Sequence, residues 1–178
     1  MKSLAGKKLR GRALCIALAG LLFSCGKIQP PAAVGGEAPV VSAITDIAEA
    51  ENQKLEILSR DGGCILRVGG TANGRTIPLV PKAPCHFLRA ADRPVPGVFS
   101  YRDVNTEAVL IVSGTPASEP VRKTWNLEPG LVCGEESQGV LIRGGTVLVT
   151  KATRRGGVTC RDRGVDEKEY WAFAHDEK

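Results

Sequence analysis

The chain has 178 residues, with 24 Lys+Arg against 19 Asp+Glu, six cysteines and only 4% aromatic residues. Five of the cations stand before residue 13, so the rest of the chain carries 19 basic against 19 acidic side chains. Affinity for nucleic acid or for a bulk anionic membrane surface depends on clustered, unpaired Lys and Arg. The composition therefore predicts no nucleic-acid partner.

An export signal opens the chain. Five cations and no acid precede an apolar stretch, residues 13–25, that is too short for a permanent membrane helix and ends in small residues. Its last four residues, Leu22-Phe23-Ser24-Cys25, resemble the signal of bacterial lipoproteins. The alternatives are an ordinary cleaved signal peptide and an uncleaved anchor, neither of which requires a cysteine at this position.

The resemblance implies that residues 1–24 are removed and that Cys25 is lipidated and becomes the new N-terminus. One acyl chain binds a membrane marginally, whereas the several chains of the usual lipoprotein product would hold it durably. Gly26 is not the aspartate that often marks retention in the inner membrane. We therefore expect a lipoprotein of the outer membrane that faces the periplasm.

A tether and a short helix are predicted next. Residues 25–41 are rich in Pro, Gly and Ala, which disfavour both helix and strand, so they predict an extended tether reaching up to roughly 50 Å. Within residues 42–53, Ile44, Ile47 and Ala48 have helical spacing behind Ser42, a typical capping residue. This pattern predicts one short helix.

Residues 42–178 are predicted to form a single all-β domain, because short apolar runs alternate with Gly, Pro and Asn. The predicted strands are residues 55–59, 64–68, 75–80, 85–89, 98–102, 107–113, 131–133, 139–143, 146–153, 158–161 and 169–174. In the last strand, Trp171 and Phe173 would share one face. Ten or eleven short strands are enough for a closed barrel, a β-trefoil or a sandwich. We favour a compact antiparallel barrel, with a β-trefoil as the specific form, since closure removes free strand edges.

Four cysteines remain once Cys15 is removed with the signal and Cys25 is lipidated: Cys64, Cys85, Cys133 and Cys160. An even number in an exported domain predicts disulfides, and three pairings are possible. Pairing Cys64 with Cys85 and Cys133 with Cys160 would close two local hairpin units. A zinc or redox site fits less well, because no CxxC motif occurs and only two histidines are present.

Two near-motifs are better explained by turns. Residues 69–76 have the spacing of a phosphate-binding loop with Arg75 in place of lysine, but Ile77 and Pro78 follow where a helix is needed. The pair Asn73-Gly74 instead predicts a hairpin turn. Residues 134–139 are one residue too long for a nucleophile elbow and lack the strand and helix around it.

Several acidic side chains could supply a general acid and base, namely Glu135, Glu136, Asp162, Asp166 and Glu167. Adjacent residues of this kind usually point apart into solvent, and His86 and His175 stand in settings typical of structural residues. The sequence predicts no catalytic residues, no cofactor and no metal site.

The resulting hypothesis is an envelope-anchored binding protein, such as an inhibitor or immunity protein against a secreted or periplasmic enzyme, for example a cell-wall hydrolase or a toxin. The alternatives are a structural or assembly lipoprotein of an envelope machine and a carboxylate-dependent hydrolase. Loops held by a rigid scaffold often carry binding residues. The charged segment 161–169, fixed at one end by the expected disulfide, is therefore the predicted partner-binding surface, with Arg161, Arg163, Asp166 and Lys168 as its binding residues. The alternative is a solvated loop rich in charge that binds no partner.

Overall fold

The computed structural model describes residues 42–91 and 93–176. The predicted signal, the lipidation site Cys25 and the tether lie outside the described residues. Within them the chain forms nine β-strands in two antiparallel sheets, two α-helices and one short 3-10 turn. Neither of the two described helices has the length and apolar character needed to cross a membrane.

The first sheet is a four-stranded meander. Its strands are β1 (Ala43–Ala50), β2 (Gln53–Arg60), β3 (Gly63–Val68) and β4 (Arg75–Lys82), paired in that order. Asn52 and Asp61 help form its first two tight turns, each of two residues with positive φ, which matches the right-handed twist of the flanking strands. The third connection contains Asn73-Gly74, so the segment with phosphate-loop spacing lies in a hairpin loop, as predicted.

The second sheet contains five strands, and both helices lie in chain segments that adjoin these strands. Its members are β5 (His86–Phe87), β6 (Phe99–Tyr101), β7 (Thr106–Pro116), β8 (Cys133–Arg143) and β9 (Thr146–Cys160). The order is β5-β7-β8-β9, and β6 also pairs with β7. Helix α1 (Glu119–Thr124) lies in the connection from β7 to β8, and α2 (Glu167–His175) follows β9.

The second sheet is apolar on both faces. On β7, Leu110 and Val112 belong to a core shared with the first sheet, whereas Val109 and Ile111 belong to a second core beneath α2. All four side chains are essentially inaccessible to solvent. A strand buried on both sides reads as a continuous apolar run, and this explains the sequence of β7.

Both predicted disulfides are present. Cys64 on β3 is bonded to Cys85, just before β5, and this bond links the two sheets. Cys133 is bonded to Cys160, its register partner in the β8–β9 ladder. Each bond closes a local unit, as the spacing predicts.

Two predicted elements are wrong. Residues 42–53 form no helix: residues 43–50 are β1, in which Ala48 and Ala50 are buried and alternate with exposed neighbours. Residues 169–174 form no strand: they lie within α2, where Tyr170, Phe173 and Ala174 are buried at helical spacing. Tertiary packing selects these states, because each buried set faces an apolar core.

The all-β character is confirmed, but the closed barrel is not found. Among the described residues the strands form two separate ladders, and hydrogen bonding joins neither ladder into a ring. The four short runs predicted between residues 131 and 161 are the two long strands β8 and β9, which are joined at Gly144-Gly145.

Candidate functional site

A groove of about 520 Å³ lies beside α2 on the second sheet. Its apolar part includes Leu88, Ile111, Val165 and Phe173. Its other lining residues are Trp125, Glu135, Glu136, Ser137, Arg154, Arg155, Gly157, Val158, Thr159, Asp166 and Glu169. This combination of apolar surface and a few charged groups is typical of a binding site.

A bulge in β9 forms one side of the groove. Gly134 on β8 pairs with Thr159, and two residues later Glu136 pairs with Arg155, so β9 holds two more residues than β8 over this stretch. Gly156 lies in this bulge with φ +89°. A bulge bends its strand and redirects side chains, and Arg154 and Arg155 lie at this bend.

Helix α2 forms the other side. Asp166 caps the helix by accepting the N–H of Lys168 at 3.0 Å, and Glu169 lies in the first turn. A close approach to β8 is possible because position 139 is glycine: a Cβ there would come within 2.9 Å of the Phe173 side chain and 2.8 Å of the Thr150 side chain. The helix therefore presents Asp166 and Glu169 to the groove, while Phe173 is buried between the helix and the sheet.

Both arginines of the groove are already paired. Arg155 binds the buried Glu136 through Nη2 at 2.7 Å and Nε at 2.8 Å, and Arg154 pairs with Asp176. Burial raises the pKa of Glu136, but hydrogen bonds from Arg155, Thr153 and Thr115 outweigh it and hold that pKa below its ordinary value. Glu136 is thus a structural anion that fixes the bulge.

Two carboxylates of the groove have no cationic partner among the described residues. Glu135 accepts the backbone N–H of Ser118 at 2.7 Å, which lowers the pKa of its carboxyl group and keeps it ionised at neutral pH. Glu169 forms no ion pair within the described ranges, although it is half-buried. Unpaired carboxylates in a concave, partly apolar surface are costly to cover unless the occupant brings a positive charge.

Trp125 stands at the point where the groove meets a second hollow of about 430 Å³. It follows α1 directly and 56% of its surface is exposed, more than for any other large apolar side chain of the described residues. The second hollow shares Glu135, Glu136 and Arg155 with the groove and adds Lys82. An exposed tryptophan between two hollows is a typical anchor for a partner.

Of the four predicted partner-binding residues, only Asp166 lines the groove. Arg161 forms a bidentate pair with its neighbour Asp162, and Arg163 reaches Glu128 at 3.6 Å. Lys168 lies 3.7 Å from Asp166. The predicted loop is also shorter than expected, because α2 begins at Glu167.

Sequence reasoning missed Trp125 and Arg154, and it included Glu169 in the predicted 161–169 surface without naming it as a binding residue. Local signals existed for two parts of the groove. Gly156-Gly157 inside an otherwise regular strand indicates a bulge, and Asp166 with Glu169 three residues later is a helix-capping pattern. Only the fold brings these residues together with Trp125.

His86 is the one described residue with a buried side-chain nitrogen, Nε2, that has no hydrogen-bond partner. Burial lowers the pKa of its imidazole, and the nearby Arg161 and Arg89 lower it further, against the opposing effect of Asp46 and Asp162. Asp46 accepts the N–H of Phe87 at 2.9 Å and pairs with Arg89 at 2.5 Å. This cluster ties β1 to the second sheet and does not line the groove.

The adjacent acids of β8 do not form an acid–base pair. Glu135 and Glu136 both line the groove, but each is already engaged, Glu135 by the backbone N–H of Ser118 and Glu136 by Arg155. The pKa of each is lowered, which leaves neither as a proton donor near neutral pH. No group of three or more His, Cys, Asp or Glu within the described ranges is placed to hold a metal ion.

Comparison of the chain with protein-family models, with curated proteins and with solved structures found no match. The site itself is therefore the basis of the functional inference.

Proposed function

We propose that this protein is an envelope lipoprotein that binds another protein in the groove beside α2, acting as an inhibitor or immunity protein against a secreted or periplasmic enzyme. Cys25 would anchor it in the outer membrane, and residues 25–41 would let the β domain reach partners in the periplasm. One observation carries the proposal: Trp125 is exposed where two hollows meet, next to charged side chains that rigid elements hold in place.

Several features of the groove support protein binding. Aromatic and arginine side chains are enriched in protein interfaces, and the residues that dominate affinity are usually large anchors surrounded by charged or polar groups. The groove has this composition, with Trp125 beside Arg155 and Glu135. Strands, a disulfide and a capped helix fix its walls, so binding would require little ordering of the protein.

A photo-crosslinking amino acid at position 125 in living cells tests the groove directly. We expect a specific envelope or secreted protein to be crosslinked there. The matched control is the same amino acid at position 171, because Trp171 is 51% exposed and does not line the groove. No crosslinked protein at position 125, or the same set of proteins at both positions, would contradict the proposal. Recovery of subunits of an envelope machine would favour the assembly role instead.

The anchor is tested separately. Replacing Cys25 with Ser should abolish incorporation of labelled fatty acid and leave an unprocessed or soluble product. Fatty acid in the Cys25→Ser variant would show that the lipobox assignment is wrong, whatever the groove binds.

A further inference from the structure

We propose that the groove takes a basic segment of the partner, in which a lysine or arginine enters between Trp125 and the carboxylates of Glu135 and Glu169 while flanking apolar side chains contact the aliphatic side chains of the groove. This inference rests on the proposed function, since it specifies the partner of the same site.

Charge complementarity is the first support. The groove is lined by four carboxylates, on Glu135, Glu136, Asp166 and Glu169, against two guanidinium groups, so its formal net charge is −2. Both guanidinium groups are engaged, Arg155 by Glu136 and Arg154 by Asp176. They are therefore not available to neutralise the remaining acids.

The cost of covering the groove is the second support. Any occupant removes water from Glu135 and Glu169, neither of which has a cationic partner among the described residues. A buried carboxylate without a partner is strongly unfavourable, and an acidic occupant would add repulsion. A lysine or arginine offsets the loss by forming charge-assisted hydrogen bonds.

Trp125 supplies the third support. Cations bind over the face of an aromatic ring, and tryptophan is the strongest of the aromatic side chains in this respect. The ring is 56% exposed and lies in the same groove as the two carboxylates. The partly exposed aliphatic side chains of the groove, Val158 and Val165, favour apolar residues on either side of the cation.

Three short capped peptides of sequence Ala-Leu-X-Leu-Ala, with X as lysine, glutamine or glutamate, test the charge requirement. The full-length protein in lipid nanodiscs carries Trp171→Phe, so that tryptophan fluorescence reports on Trp125. We expect binding of the lysine peptide at least tenfold tighter than that of the glutamine peptide, and weaker binding at high salt. Equal binding of all three peptides, or no binding of the lysine peptide, would overturn the inference.

Variants of the two carboxylates locate the cation. Glu135→Gln and Glu169→Gln should each weaken lysine-peptide binding by about tenfold. Glu167→Gln is the matched control, because Glu167 is exposed on the same helix and does not line the groove. Equal effects of Glu167→Gln and Glu169→Gln would mean that only the general charge of α2 matters, which contradicts the proposed contact.

Spermidine distinguishes a protein segment from a small cation. It carries positive charge without apolar side chains, so it should displace the peptide only at much higher concentration. Displacement at equal concentration would overturn the inference in favour of a small-cation site. If the lysine peptide does not bind but a partner protein is still crosslinked at position 125, the basic segment is rejected as the occupant, whereas the proposed function is still supported.

Discussion

Replacing Phe173 with alanine should destabilise the protein far more than replacing Trp171, although the two aromatic residues are only two positions apart. In α2 the Phe173 ring is fully buried against β8, whereas 51% of Trp171 is exposed. Removing a buried phenylalanine costs about 3–5 kcal/mol. Trp171 loses mainly its stacking on His175, with ring centroids 4.0 Å apart, and such a contact contributes about 0.5–1.5 kcal/mol.

The difference, about 2 kcal/mol or more, is measurable by equilibrium urea denaturation of the full-length protein. With a slope of about 1–3 kcal/mol per molar urea, the midpoint of Phe173→Ala should lie about 1 M below that of Trp171→Ala. A strand at residues 169–174 would place both rings on one face. Equal losses for the two variants would therefore refute the helix and the groove wall that it forms.

Three further predictions concern stability. Burial lowers the pKa of His86 in the folded protein below 6.5, its value in the unfolded chain. Below about pH 6.5 the unfolded chain therefore binds a proton that the folded protein does not. The free energy of unfolding should keep its full value above this pH and decrease as the pH falls toward the pKa of His86 in the folded protein. Thermal melts from pH 5 to 8 should show this slope, and His86→Gln should flatten it. Replacing Cys133 and Cys160 with serine removes a bond that spans 27 residues and should cost about 3 kcal/mol in urea denaturation. Gly134→Ala should destabilise by about 1–3 kcal/mol or more, since its Cβ would lie 2.2 Å from a backbone oxygen of β7, whereas Gly157→Ala meets no atom within 4 Å and should be nearly neutral.

The hairpins were predictable because their signals are local. Asp61-Gly62, Asn73-Gly74 and Gly144-Gly145 are turn sequences that need no tertiary contact to be read. The disulfide pairing followed from the same logic, since each bond closes one hairpin unit. Turn chemistry acts over a few residues, so the sequence alone carries it.

The two wrong elements have different causes. In residues 42–53 the helical spacing of Ile44 and Ile47 suggested a helix, but both side chains are largely exposed, and the buried positions are the small Ala48 and Ala50. A register shift between Ile44 and Asp46 further obscures the alternation. Residues 43–50 are a strand because they pair with β2, and the hydrophobic pattern of β1 itself does not reveal this pairing.

The sequence of α2 contains helix signals, but the strand propensity of residues 169–174 outweighed them in the prediction. Aromatic and apolar residues in 169–174 favour a strand by propensity. Against this, Asp166 and Glu169 form a capping pattern, and Tyr170, Phe173 and Ala174 have the i, i+3, i+4 spacing of a helix face. The helix forms because its apolar face covers a long apolar face of the second sheet, which includes Val109, Ile111 and Leu141.

The groove arises where the sheet departs from regular geometry. Gly139 lacks the side chain that would hold α2 away from β8, and the bulge around Gly156 bends β9 beside the helix. A regular β8–β9 ladder would contain no such bend, and a larger residue at position 139 would meet Phe173. Two glycines thus create the space, and Glu136 fixes it by pairing with Arg155. The remaining carboxylates, Glu135 and Glu169, do not stabilise the fold through any ion pair within the described residues, which is why we infer that they serve binding.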